Sequence, residues 1–305
     1  MKIYEYGKDI LPNTPSVLAI GFFDGVHIAH RELIGKAAEE ARRLSLPMGI
    51  LTFGSEGDIK NGVLRIYSTE QRLSLFRELG VDFCVLCSFS DVRDMPAEEF
   101  CKSILIDSLS CRLCAVGFNF KFGKGALSDA EELSDIMSKF GSDTLIFAER
   151  KEGGVTVSSS AIRKMLDAGD MKSAAEMLGH PYFAEGFVTH GRGIGSSKLG
   201  VPTINVAFGE NSLIPRLGVY TASVELDGAL YPAVLNIGVC PTYDIRRVHI
   251  EAHLIDFSAD LYGRFVKINF LSFLRDEKRF SDEKELKRQI KADILATIKE
   301  NRGTK

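Results

Sequence analysis

The hydrophobic positions of the chain fall into two regimes. Up to about residue 168, short apolar runs alternate with stretches whose apolar residues recur every three or four positions. Ser16–Ile20, Met48–Phe53, Val81–Phe89 and Arg112–Val116 read as buried strands. Leu33, Ile34, Ala37, Ala38, Ala41 and Leu44 predict a helix after the first of them. Leu73, Leu75, Phe76 and Leu79 predict a second helix, opened by the capping box Ser68-Thr69-Glu70-Gln71 and stopped by Gly80. A third runs from Pro96 to about Ile106, and a fourth carries Ile162, Met165 and Leu166. Strands alternating with helices predict an α/β unit with a parallel sheet and ligands at the strands' carboxyl ends.

The stretch from Ala168 to Ala184 reads as a junction, and the pattern then changes. Short β-like runs follow at Phe183–His190, Thr203–Phe208, Gly218–Leu226, Leu230–Ile237, His249–Leu254 and Phe265–Leu274, with turn residues such as Asp227-Gly228 between them. They predict an antiparallel barrel or sandwich. Ser281 or Asp282 then caps a last helix with Leu286, Ile290, Ile294 and Ile298 on one stripe, which is expected to pack on the β unit. The expected domains are 1–168 and 183–305, with 169–182 as linker.

At 305 residues the chain is long enough for two cores, and 38 basic against 41 acidic residues leave a net charge of −3. That balance argues against bulk nucleic-acid binding. No apolar run reaches the roughly 18 residues a bilayer span needs, and Met1 to Lys8 lacks a signal-peptide core, so a cytoplasmic protein without membrane partners is expected. Cys84-Val-Leu-Cys87 and Cys111-Arg-Leu-Cys114 form two C-x-x-C pairs. Both lie in strand-like runs, where residues three apart point to opposite faces, so buried structural thiols are expected rather than a zinc knuckle.

The candidate chemistry begins at Gly21-Phe22-Phe23-Asp24-Gly25-Val26-His27-Ile28-Ala29-His30, between the first strand and the first helix. A helix start offers unpaired N–H groups and the positive end of a dipole, and Gly21 and Gly25 allow close backbone approach, so a phosphate fits here. His27 and His30, one turn apart, can aim both rings at the same phosphates; packing, or half of a metal site, are the other readings of such a pair. Gly117-Phe118-Asn119-Phe120-Lys121-Phe122-Gly123-Lys124-Gly125 follows a later strand and lies at the same ligand edge. Ser158, Ser159 and Ser160 enter a helix with Arg163 one turn in, a pattern that serves capping and phosphate binding alike. In the second regime the glycine-rich run from Gly191 to Asn205 reads as a phosphate-cradling loop or a mobile linker, without the helix that a Walker loop requires.

In this order, these segments resemble the prokaryotic bifunctional riboflavin kinase/FMN adenylyltransferases, or FAD synthetases. The first stretch is similar to their G-x-F-D-G-V-H-x-G-H segment, the aromatic loop to G-x-(D/N)-F-x-F-G-K, and Val157 to Arg163 to I-S-S-T-x-I-R with Ser160 in place of threonine. Gly200-Val201-Pro202-Thr203-Ile204-Asn205 resembles the kinase signature G-F-P-T-A-N. Gly218-Val219-Tyr220, Asn236 to Tyr243, Glu251 to Phe257, Asp260 to Gly263 and Arg275 to Phe280 extend the likeness over the second regime.

The resemblance implies a Rossmann-like nucleotidyltransferase domain followed by an antiparallel β-barrel riboflavin kinase domain with a C-terminal helix. It implies that His27 and His30 act at the phosphates, and that Gly21, Phe23, Asp24, Gly25, Asn119, Ser158, Ser159, Ser160 and Arg163 bind ATP. It further implies phosphate contacts from Gly191, Gly195, Ser197, Lys198, Thr203 and Asn205. Mg²⁺ is expected at Thr203 and Asn205, flavin contacts from Phe120, Phe122 and Arg275, and a general base at Glu251. The expected substrates are riboflavin, FMN and ATP; the expected products are FMN and FAD. Three departures stand out: Ala29 replaces a glycine, Gly54-Ser55-Glu56-Gly57 replaces a P-H-P loop, and Gly125 to Asp129 lacks a glycine-aspartate pair. They motivate an alternative, a riboflavin kinase with a non-catalytic nucleotide- or flavin-binding N-terminal domain.

Overall fold

The apolar runs of the first regime pair side by side. In the computed structural model, which describes residues 1–54, 64–189, 203–206, 212–242 and 245–303, the chain divides into two units, Met1–Ser159 and Ser160–Lys305. In the first unit β1 (Lys2–Glu5), β2 (Ser16–Ile20), β3 (Met48–Phe53), β4 (Phe83–Cys87), β5 (Cys111–Gly117) and β8 (Asp143–Phe147) form a parallel sheet in the order β1-β4-β3-β2-β5-β8. β6 (Lys121–Phe122) and β7 (Ser128–Asp129) make a small hairpin, as do β9 (Lys151–Glu152) and β10 (Val155–Thr156). The helices are α1 (Ile28–Leu44), α2 (Thr69–Glu78), α3 (Phe89–Val92), α4 (Ala97–Glu99), which continues as a π-helix over Phe100–Ser108, and α5 (Ala130–Lys139).

From β2 the chain steps outward through β3 to β4, then returns to place β5 on β2's other side. The connections reverse direction between β2 and β5, and a crevice opens at the carboxyl ends of strands at such a switch point. The turn after β2 and the aromatic loop after β5 are therefore neighbours by topology. Ser68 completes the expected capping box on α2, with its Oγ accepting from Gln71 N and Gln71 Oε1 accepting from Ser68 N. β1, β8 and α5 were not legible from the pattern. β1 is four residues long and mostly exposed, and the edge strand β8 is only partly buried along its length.

One inference about the cysteines is corrected. β5 carries an irregularity between Cys111 and Leu113 in its pairing with β2, and Arg112 is thrown outward. The extra residue resets the alternation, so Cys111, Cys114 and Val116 share one core cluster, and the two thiols hydrogen-bond. The plain period of two holds for the other pair, where Cys87 joins that cluster and Cys84 does not. Burial pushes the Cys84 thiol up to about 12. No group of three or more potential metal ligands of the His, Cys, Asp and Glu types occurs among the described residues.

The boundary between the units falls at the first residue of α6 (Ser159–Ala168); in the second unit the rest of α6 and α7 (Met171–Leu178) lead into β11 (Phe183–Thr189), β12 (Ile204–Val206), β13 (Gly218–Leu226), β14 (Ala229–Thr242), β15 (Ile245–Leu254) and β16 (Phe265–Arg275). They close into an antiparallel barrel in the order β11-β12-β15-β14-β13-β16. β16 pairs with both β13 and β11, which removes the free edges and decides for a barrel over a sandwich. Leu235, Ile237, Ile250, Ala252, Ile268 and Phe270 are fully buried. Alternation along β15 turns Glu251 and His253 away from that set. The C-terminal helix, Glu283–Gly303, is capped by Asp282, whose Oδ1 accepts from Glu285 N at 2.8 Å, while Glu285 Oε2 accepts from Ser281 N and Oγ. It is tied to the barrel by Glu300, which accepts from Thr221 Oγ1 at 2.6 Å, and by Asn301, which donates to the Ala222 carbonyl. Among the described residues no helix is long and apolar enough to cross a membrane.

Candidate functional site

The turn after β2 is held in a shape that few side chains accept. Phe23 and Val26 both have positive φ, 49° and 43°. For a β-branched residue that is a costly region, occupied only where the surroundings enforce it. Asp24 is buried and its Oδ1 accepts from Ile66 N at 3.0 Å, which pins the turn to the segment before α2. A Cβ on Gly21 would lie 3.1 Å from the Phe23 ring, so the first glycine makes room for that ring. Gly25 is buried with them.

His27 is the N-cap of α1 rather than its first residue, and its Nδ1 accepts from His30 N at 3.4 Å. An accepting Nδ1 in a neutral ring leaves the proton on Nε2, so His27 offers an Nε2–H donor. The two rings stack with centroids 3.6 Å apart, and Phe23 meets His30 edge to face at 5.1 Å. Burial lowers His27 to about 4 and takes His30 well below the ordinary imidazole range, with the His27 charge as a second cause for His30. Both are therefore neutral donors at neutral pH, not imidazolium ions. His30 Nδ1 and Arg31 Nε are buried without a hydrogen-bond partner among the described residues. Two orphaned polar atoms beside a helix N-terminus fit a site that an anion completes.

The aromatic loop divides its roles by burial. Phe122 belongs to the core, where it meets Phe100 at 5.6 Å, and Phe120 stacks on Phe122. Asn119 is exposed, with its Oδ1 3.3 Å from where a Cβ on Gly117 would stand. Phe118 is the exposed aromatic of the loop, and its N donates to the Phe147 carbonyl. Ser159 and Ser160 open α6 with Ser158 just ahead, and Arg163 follows one turn in.

A second, separate site lies on the barrel. A cavity of about 250 Å³ is lined by Thr203, Val219, Val234, Asn236, Glu251, His253, Arg275, Glu277, Lys278 and Phe280, and by Leu286, Ile290 and Asp293 of the C-terminal helix. Thr203 Oγ1 donates to Glu251 Oε1 at 2.8 Å. Strand register sets Asn205 on one side of Glu251 and Asn236 on the other. Asn205 is not among the cavity's lining residues, whereas Thr203, Glu251 and Arg275 are. Gly191, Gly195, Ser197 and Lys198 lie outside the described residues.

Arg275 is held by Asp293, whose Oδ2 accepts from Nη2 at 2.8 Å, and Gln289 Nε2 donates to Asp293 Oδ1 at 2.9 Å. Asp293 is buried and Arg275 largely covered, at 6% and 15% side-chain exposure. Removing one member of such a pair strands the other charge. Asp293→Ala is therefore expected to lower the unfolding free energy of this unit by about 3 kcal/mol, read by urea denaturation. His253, Asn236 and Asp293 were not anticipated as cavity residues. Asp293 had a legible signal, because it sits three residues after Ile290 and seven after Leu286, a charge on an apolar stripe.

The chain matches the family model of FAD synthetase over residues 10–161 and that of riboflavin kinase over residues 178–300. It is 35% identical over 291 residues to the bifunctional riboflavin kinase/FMN adenylyltransferase of Escherichia coli (strain K12), covering 93% of this chain and 92% of that one. It is 32% identical over 293 residues to the protein of the same name from Bacillus subtilis (strain 168), at 93% and 92% coverage. The crystal structure of a macrolide-efflux protein from Streptococcus pneumoniae superposes with a TM-score of 0.88 at 28% identity, covering 97% of this chain and 99% of that one. Fold and sites thus define an enzyme with a nucleotidyltransferase unit and a kinase unit. The chain belongs to the bifunctional riboflavin kinase/FMN adenylyltransferase family.

Proposed function

We propose that the chain makes FMN and then FAD. In the barrel unit the riboflavin 5′-hydroxyl attacks the γ-phosphate of ATP, the bond to the β-phosphate breaks so that ADP leaves, and Glu251 accepts the hydroxyl proton. In the parallel-sheet unit the FMN phosphate attacks the α-phosphate of a second ATP and releases pyrophosphate. Neither step needs a protein nucleophile, since both depend on positioning and on neutralising charge at phosphorus. The observation that carries the reading is the pair of separate polar sites: the stacked His27–His30 at a helix N-terminus in one unit, and the Thr203–Glu251 hydrogen bond at a cavity in the other. We assign residues 1–168 to the first activity and 183–305 to the second, with 169–182 between them.

In the first site the His27 Nε2–H, the His30 ring and the first-turn amides of α1 take the ATP phosphates, with Gly21, Phe23, Asp24 and Gly25 shaping the turn. Asn119, Ser158 and Ser159 complete the nucleotide contacts of this unit, and Ser160 and Arg163 are assigned to ATP as well. Phe120 and Phe122 serve the flavin side through the loop they build. In the second site Arg275 places the flavin against the cavity wall, and Thr203 orients the Glu251 carboxylate. Thr203, just ahead of β12, hydrogen-bonds the Glu251 carboxylate, and Asn205 on β12 is in register with Glu251; hydroxyl, amide and carboxylate oxygens are a hard donor set that suits Mg²⁺. Bound there, the ion supplies charge neutralisation for the ATP phosphates.

Incubating the purified chain with riboflavin and MgATP tests the reading. FMN is expected first, then FAD with stoichiometric pyrophosphate, followed by chromatography of the flavins. FMN that accumulates without any FAD overturns the double assignment and leaves the kinase alone.

A further inference from the structure

Helix α2 carries none of the segments that resemble the family, yet it grips the phosphate turn twice. Arg72 is 1% exposed. Its Nη1 donates to the Phe22 carbonyl at 2.7 Å and to Thr52 Oγ1 at 3.2 Å, and its Nη2 donates to the Phe53 carbonyl at 2.8 Å and to Thr69 Oγ1 at 3.3 Å. Thr52 Oγ1 donates to that same Phe22 carbonyl at 3.0 Å. One turn further along α2, Phe76 meets the Phe23 ring at 5.9 Å, and Phe23 in turn meets His30 at 5.1 Å. The two residues before Asp24 are thus fixed from one helix, Phe22 through its carbonyl and Phe23 through its ring.

The arrangement is costly in two ways. The turn holds Phe23 and Val26 at positive φ, which persists only where neighbours over-determine it. Arg72 itself is a buried cation that forms no ion pair among the described residues, and burial is the main reason its guanidinium is lowered to about 10, with Arg65 as the next cause. It therefore stays charged at neutral pH. Arg65 lies over the Phe22 ring at 5.3 Å and Arg72 at 5.5 Å, so two like charges flank one residue of the turn. An apolar side chain would fill the volume more cheaply. What it would not do is bridge the Phe22 carbonyl in the turn after β2 and the Phe53 carbonyl at the end of β3, which needs a planar fork with donors on both prongs.

We propose that Arg72 is the positioning residue of the adenylyl-transfer site, its guanidinium locking the Phe22 and Phe53 carbonyls so that the strained turn presents His27 and His30 to the substrate phosphates. The proposal rests on the reading of this unit as an FMN adenylyltransferase. Phe76 completes the hold from the same helix through the Phe23 ring.

Arg72→Met and Arg72→Lys in the full chain test it. Arg72→Met is expected to lower kcat for FAD formation from FMN and MgATP about 100-fold, with KM for both substrates changed by less than about threefold. Arg72→Lys keeps the charge but has one prong, so a deficit of about 10-fold is expected to remain. Riboflavin phosphorylation by the same samples is expected to be unchanged, which reports that the barrel unit is folded, and a native urea-denaturation transition of the parallel-sheet unit, followed by far-UV circular dichroism, reports the same for the unit that holds Arg72. A second readout does not depend on turnover: the histidine ring protons followed by NMR against pH. In the native chain burial holds His27 down, and its titration is expected at about 4; in both variants the loosened turn is expected to return it toward the ordinary imidazole value. Native rates, full rescue by lysine, or parallel loss of both activities with the folded fraction would each overturn the proposal. A native chain that makes no FAD sinks the adenylyltransferase reading instead, and the His27 titration then still decides whether Arg72 holds the turn.

Discussion

Glu251→Gln is expected to lower kcat for riboflavin phosphorylation about 1000-fold, while FAD formation from supplied FMN stays within about twofold of the parent. The substitution is chosen to isolate one property. Glutamine has the size of glutamate, and its amide oxygen can still accept from Thr203 Oγ1, which donates to Glu251 Oε1 at 2.8 Å. The cross-strand neighbours Asn205 and Asn236 remain in register. What disappears is the ability to take a proton from the attacking hydroxyl. Steady-state rates of the two half-reactions, measured separately, check this; a Glu251→Gln chain that still phosphorylates riboflavin at the native rate removes Glu251 from the role of base.

The second large effect lies in the other unit. His30→Ala is expected to slow FAD formation by about 100- to 1000-fold, so that FMN accumulates in a reaction started from riboflavin. One ring is lost and two contacts go with it, the stack on His27 at 3.6 Å and the edge contact with Phe23 at 5.1 Å. Because burial keeps both histidines neutral, the native FAD rate is expected to be flat from about pH 5.5 to about pH 8, with no limb at the ordinary imidazole value. A bell centred on that value would show that an imidazolium does the work.

The same burial makes the unit acid-sensitive. The folded His27 value is depressed below that of the unfolded chain, so the unfolded chain takes up protons that the folded one refuses. This contribution to stability is complete above about pH 6.5 and is lost as the pH falls toward about 4, the value for folded His27.

The arginine that anchors the turn shows where a motif-led reading stops. Arg72 stands at an inward position of α2, next to Leu73 and one turn before Phe76. Asp293 stands likewise on the stripe of the C-terminal helix. Each is a charge where the period calls for an apolar side chain, and each proves to be buried against a site. The same rule identifies neither Asn236 nor His253, which are polar at positions that alternation assigns outward. They become cavity residues only because the C-terminal helix covers that face of the barrel. The cysteines fail for another reason, since the irregularity after Cys111 changes the facing of Cys114 without leaving any mark in the hydrophobic pattern.

By itself the sequence determined the two regimes, the strand-turn-helix around Gly21 to His30, the capping box of α2 and the cap of the C-terminal helix. These follow from local rules: the helical and strand periods, turn chemistry and helix-end hydrogen bonding act between residues a few positions apart. Tertiary structure decided the strand order that makes β2 and β5 neighbours, the closure of the barrel, the neutrality of His27 and His30, and the grip of Arg72 on Phe22. Each of those depends on which distant segments exclude water from one another, and desolvation at a given atom is set by neighbours that the chain brings in from far along its length.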